Sequence, residues 1–159
     1  MKILVCNVGS TSLKFKLYEM PACEVFAQGA VERVGSGRDA IVSYNNNQTG
    51  ARVDLDGQDI PDYQTGIEWF LQELTEGPRA ALSSVEEIER VGFKATLSKG
   101  HYGVHEIDEA VLDGMKEWLP MAPLHNAAYI KAIEVMREVL PEARFVGAFE
   151  TAFHREIPM

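Results

Sequence analysis

Two strand-like segments separated by a short polar bend open the chain and restrict what the remainder can become. Ile3-Leu4-Val5-Cys6 is an apolar run that reads as a strand buried on both faces. In the second segment Leu13, Phe15 and Leu17 alternate with Lys14 and Lys16, the period of a half-buried strand. The bend between them contains Asn7, Gly9, Ser10, Thr11 and Ser12, which bring free backbone N–H groups, three hydroxyls and an amide to one place. Such a bend at a hairpin is equipped to hold an anion, and Lys14 adds a positive charge beside it. By composition alone the same residues also fit an ordinary hairpin turn that binds nothing.

The remaining chain begins as strands and ends in βα alternation. Val25 to Val34 reads as a third strand, with Gly29 marking a bulge, so that three strands form a meander. Gly35-Ser36-Gly37-Arg38-Asp39-Ala40 fits a loose dinucleotide pattern, but Ile41-Val42-Ser43-Tyr44 follows it as a strand where that chemistry needs a helix. That strand and the segment Ala51 to Leu55 flank the polar turn Asn45 to Gly50 as a second hairpin. From Asp62 the period turns helical, with Ile67, Phe70, Leu71 and Leu74 on one face and a stop at Gly77-Pro78. Ile88 to Ala95 is again strand-like, and a Gly-containing loop from Ser98 to Gly103 follows it. Asp108 caps a second helix that carries Ile107, Val111, Met115, Trp118 and Leu119 at helical spacing, and Pro120 and Pro123 break it. A third helix is expected from about Asn126 to Leu140, then a strand from Arg144 to Phe149. The result is an α/β domain with a mixed sheet and helices packed on it.

Composition narrows the partners. The 159 residues are one domain's worth, and a formal net charge of −9 argues against a broad basic face for nucleic acid. Any anion has to be held locally. Neither a long apolar span nor a basic leader is present, so the expectation is a cytoplasmic protein without membrane insertion. Cys6 and Cys23 have no metal or disulfide spacing and read as reduced thiols. His101 and His105 lie four apart, but Gly and Lys neighbours leave no helix to present both, so they do not make a metal site.

Three stretches together resemble one family. Asn7-Val8-Gly9-Ser10-Thr11-Ser12-Leu13-Lys14 is similar to the phosphate-binding opening of the acetate and butyrate kinases, members of the actin-like ATPase (ribonuclease H-like) superfamily. Pro123-Leu124-His125-Asn126 and Phe149-Glu150-Thr151-Ala152-Phe153-His154 resemble two later signatures, in the family's order. Val91-Gly92-Phe93-Lys94-Ala95-Thr96 falls where the family carries a Gly-His-Arg-Val-Val run, so Lys94 takes the arginine position and Phe93 the histidine position. A lysine offers one compact charge where arginine grips a carboxylate with two parallel hydrogen bonds. Glu150 replaces an aspartate and moves the carboxylate by about an ångström.

The resemblance implies a fold, a reaction and a set of roles. The fold is an actin-like domain with a mixed sheet of the five-stranded type, and residues 1–159 form the N-terminal domain alone. Family members continue into a second nucleotide-binding domain, which allows a homodimer and supplies catalytic groups that this chain lacks. The complete enzyme would transfer the γ-phosphoryl of ATP to a short carboxylate, such as acetate, propionate or butyrate, with Mg²⁺. Asn7 and Glu150 would serve the metal, Ser10, Ser12 and Lys14 the nucleotide phosphates, and Lys94 the acid. Glu150 and Lys94 would be the catalytic pair. Thr96, Leu124 and His125 would line the acid pocket, with the Thr96 hydroxyl facing the alkyl group. The reading of His125 from the residues alone is a helix-start side chain satisfied by backbone. A rival of another class is a non-catalytic actin-like module that keeps the phosphate turn and only binds or senses through it.

Overall fold

A computed structural model of the protein describes residues 1–150. Strands β1 (Lys2–Val8), β2 (Ser12–Glu19) and β3 (Glu24–Glu32) form the expected antiparallel meander. β4 (Ala40–Asn46) and β5 (Arg52–Gln58) form the second hairpin, whose turn is closed by Asn46 Oδ1 accepting from the Gln48 and Thr49 amides. Then come α1 (Tyr63–Thr75), β6 (Ile88–Ala95), β7 (Gly103–Glu106), α2 (Glu109–Glu117), α3 (Pro123–Val139) and β8 (Arg144–Phe149). All eight strands join one sheet in the order β5-β4-β3-β2-β1-β6-β8-β7. Its centre, β3-β2-β1-β6-β8, is the expected five-stranded mixed unit, and β4, β5 and β7 extend it at the two edges. β1, β6 and β8 run parallel.

Strand pairing sorts the side chains into rows. Cys6, Phe15, Gly29 and Tyr44 are successive partners across β1 to β4, and Val8, Leu13, Val31 and Val42 make the next row. Both rows lie on the face covered by α1 and α3, where Phe15 stacks on Phe70 at 4.2 Å between ring centroids. The Tyr44 ring meets the same Phe70 edge-on. Gly29 is therefore a packing residue rather than the expected bulge. A Cβ there would stand 2.6 Å from the Ser43 carbonyl and 2.8 Å from the Phe70 ring. The irregularity in this pair falls instead between Leu17 and Tyr18, opposite Phe26, where β3 has one residue more than β2. β1 is likewise not buried on both faces. Leu4, Cys6 and Val8 point into the core, while Ile3 and Val5 on the opposite face are only half-buried.

The helices follow from their ends. Asp62 accepts from the Thr65 amide at 2.8 Å and starts α1, and Ile67, Phe70, Leu71 and Leu74 are all buried on its inner side. Gly77 at φ +71° and Pro78 close the segment. Asp108 caps α2 in the same way, through the Val111 amide. α3 starts three residues before the position expected, because Pro123 stands in its first turn, where its missing N–H costs nothing, and does not break the chain there. β7 begins at Gly103, the last residue of the expected loop, in a stretch to which the sequence assigned no element. It is a four-residue edge strand with Val104 72% exposed, too short and too open to leave a periodic pattern.

Candidate active site

Ligands of open α/β sheets collect beyond the carboxyl ends of the parallel strands, where neighbours diverge. β1 follows β6 only as far as the pair Cys6 and Phe93, whereas β6 stays with β8 to the pair Ala95 and Phe149. Beyond Cys6 the sheet therefore opens into a cleft of about 460 Å³. Of the residues singled out in the sequence, Asn7, Ser12, Lys14, Lys94, Thr96, His125 and Glu150 line it. They come from β1, β2, β6, the α3 start and the end of β8, so the fold gathers them from across the chain.

One wall is the bend between β1 and β2. The Gly9 amide donates to the Ser12 carbonyl at 2.8 Å and closes the bend. That amide is thus not free for an anion, contrary to the sequence expectation. The Ser10 and Thr11 amides have no acceptor among the described residues. Ser12 Oγ lies over Gly9, only 2.5 Å from where a Cβ would stand, which explains the glycine. The Tyr63 hydroxyl at the head of α1 meets the Gly9 and Ser10 carbonyl oxygens at 2.7 and 2.8 Å. Val34 donates to the Thr11 carbonyl at 2.9 Å. Asn7 and Lys14 are exposed register partners on the open face.

The opposite wall consists of side chains. Lys94 Nζ and Glu150 Oε1 form an ion pair at 2.6 Å, with side chains 62% and 50% exposed. The hydrogen bond it donates to Glu150 holds the Lys94 ammonium above the usual lysine range, and the carboxylate charge adds to the effect. Thr96 does not turn a free hydroxyl toward a ligand, as the sequence reading expected, because it donates to Asn126 Oδ1 at 2.9 Å. Asn126 is fully buried and donates from Nδ2 to the Leu97 and Met115 carbonyls. This side chain ties β6, α2 and α3 together at the base of the wall. Leu124 is 72% exposed on α3 and is not part of the cleft lining. Ser10 stays exposed at the tip of the bend, also outside that lining. Phe93 faces the core between Tyr129 and Phe145, so it is a packing residue and not a cleft residue. The signature residues from Thr151 onward lie outside the described residues.

Sequence reasoning missed three side chains around this cleft. Asn126 enters the sequence reading only as a helix start and the last residue of a motif, and Tyr63 and Tyr129 only as positions within two expected helices. Tyr129 lines the floor, 5% exposed, and its hydroxyl accepts from the Val8 amide at 3.4 Å. Helical periodicity marks such a residue as buried and does not show that its polar end reaches a cavity. A larger groove of about 690 Å³ crosses the open sheet face past Lys16, Gln28, Asn45 and Arg52, and meets the cleft at Asn7 and Lys14. Among the described residues no cluster of three His, Cys, Asp or Glu side chains forms a metal site. No helix among them is long and apolar enough to cross a membrane.

A meander, a parallel continuation and a polar bend at the strand ends define an actin-like ATPase fold. The acetate kinase of Porphyromonas gingivalis superposes on 99% of this chain with a TM-score of 0.88 and 35% identity. A propionate kinase from Francisella tularensis superposes with a TM-score of 0.84 and 25% identity over 99% of the chain. The Shouchella clausii acetate kinase is 37% identical over 158 residues, 99% of this chain. Residues 2–159 match the acetokinase family, and the chain belongs to that family. It spans 38–39% of the length of these relatives.

Proposed function

We propose that this chain is the N-terminal domain of a cytoplasmic carboxylate kinase that moves the γ-phosphoryl of ATP onto acetate, propionate or butyrate to give an acyl phosphate. The convergence of Asn7, Ser12, Lys14, Lys94 and Glu150 on one cleft carries this reading. Phosphoryl transfer relies mainly on positioning and on charge neutralisation, which amides, hydroxyls and two lysines supply. Ser12 and the exposed Ser10 hold phosphoryl oxygens, Lys14 the nucleotide phosphates and Lys94 the carboxylate. His125 and Thr96 border the acid, and Leu124 reaches it only if the rest of the protein closes over α3. Asn7 and Glu150 suit Mg²⁺, which binds through one or two oxygen ligands together with substrate phosphates. The metal would neutralise phosphate charge. The adenosine belongs to a second domain of a longer protein, through which two copies pair.

The ion pair between Lys94 and Glu150 favours a second reading, a module that binds phosphate or nucleotide without turnover, since each charge already has its partner. Hydroxamate trapping with ATP and a series of short acids, run on the full-length protein, separates the two. Acyl phosphate formation with any acid supports the kinase. Intact ATP binding without turnover for every acid tried removes it.

A further inference from the structure

Val8 is the point where β1 loses β6 as a neighbour, since their pairing ends at Cys6 and Phe93. An amide stranded at a strand end needs another acceptor. The Tyr129 hydroxyl provides it from α3, at 3.4 Å from the Val8 nitrogen. This uses the oxygen as acceptor and leaves its proton, which has no acceptor among the described residues. The side chain is 5% exposed, and the cleft it borders also contains Lys94, His125 and Glu150. Phe93 fixes the ring edge-to-face, with centroids 6.4 Å apart and planes at 79°. A donor so placed on a cavity floor is arranged for an oxygen that arrives from outside.

We propose that Tyr129 is a direct hydrogen-bond donor to the anionic oxygen held in the cleft, a ligand-binding residue for the phosphoryl or carboxylate group. The inference rests on reading the cleft as an oxyanion site. Burial holds the hydroxyl above the usual tyrosine range, so it stays protonated at neutral pH and keeps its donor. A neutral donor also suits a chain of net charge −9, because it attracts an anion without needing a counter-charge when the cleft is empty.

The test is an NMR titration of this chain and of Tyr129→Phe, each labelled with nitrogen-15 and carbon-13, with inorganic phosphate and, separately, with acetate. Phenylalanine keeps the ring against Phe93 and removes only the hydroxyl. Phosphate affinity is expected to fall about tenfold, the effect of losing one hydrogen bond to a charged group. Weakening confined to phosphate assigns the donor to the phosphoryl oxygen, and weakening confined to acetate assigns it to the carboxylate. A purely structural tyrosine would lower thermal stability and leave both affinities unchanged, which would overturn the proposal. In the wild-type chain the Tyr129 ring carbons must shift with the same midpoint as the bend amides. A static ring signal overturns the proposal even if the variant does not fold. Absence of binding by the wild-type chain to either anion would remove the oxyanion reading itself, and this inference with it.

Discussion

The two walls of the cleft are built on opposite principles. The bend between β1 and β2 is held by backbone hydrogen bonds and by Tyr63, so its geometry is fixed before any ligand arrives. Across from it, Lys94 and Glu150 are exposed side chains that, among the described residues, pair with each other. A fixed wall supplies orientation without reorganisation, whereas a self-paired wall has to exchange one partner for a ligand. Binding energy and specificity should therefore respond differently to changes on the two sides.

The largest change in stability is expected at the base of the side-chain wall. Asn126→Ala leaves the Leu97 and Met115 carbonyls and the Thr96 hydroxyl without their partner, and should cost about 3 kcal/mol in urea unfolding. A loss well under 1 kcal/mol would mean that this wall is not anchored through Asn126. On the fixed wall, Tyr63→Phe removes the donor to Gly9 and Ser10 and should cost about 1 kcal/mol. It should also speed hydrogen exchange at the bend amides. Unaltered exchange would show that the bend is held by its own chain alone.

Asp62→Ala acts one step further away, through the α1 cap, and should cost about 1 kcal/mol or less. The Thr65 amide holds the Asp62 carboxyl below the usual range, so its contribution is complete above about pH 4 and is lost as the pH falls through the lowered value. Stability of the wild type should drop across that acid window, and that of Asp62→Asn less steeply. Parallel acid profiles for the two would contradict the cap assignment. The smallest effect on folding is expected from Glu150→Gln, because exposed ion pairs contribute little. Its effect on binding should be larger: the freed Lys94 ammonium should bind phosphate more tightly, while Lys94→Met should bind it more weakly. Unchanged affinity in both variants would remove Lys94 from the site.

The sequence was most legible where one local rule decided the outcome. Alternation exposed β2, the change of period at Asp62 and the Asp108 cap located two helix starts, and the Asn-x-Gly-Ser-x-Ser-x-Lys spacing located the bend. It was least legible where the outcome depended on a distant neighbour. Gly29 looked like a bulge because nothing nearby in sequence announces the Phe70 ring that occupies the space of its missing side chain. Pro123 looked like a stop because a proline in a first helical turn and a proline after a helix read alike. The polar ends of Tyr63, Asn126 and Tyr129 were hidden by the helices that bury the rest of each side chain. Thr96 borders the cleft, but its proton goes to a partner thirty positions away in the sequence.

The central claim is that the bend and the ion-pair wall enclose one oxyanion site. A phosphate titration of the isotope-labelled chain, followed at every backbone amide, tests it most directly. The account predicts that Ser10, Thr11, Ser12 and Lys94 shift together with a single midpoint. Shifts centred instead on Lys16 and Arg52 in the sheet groove, with the bend amides unmoved, would contradict it.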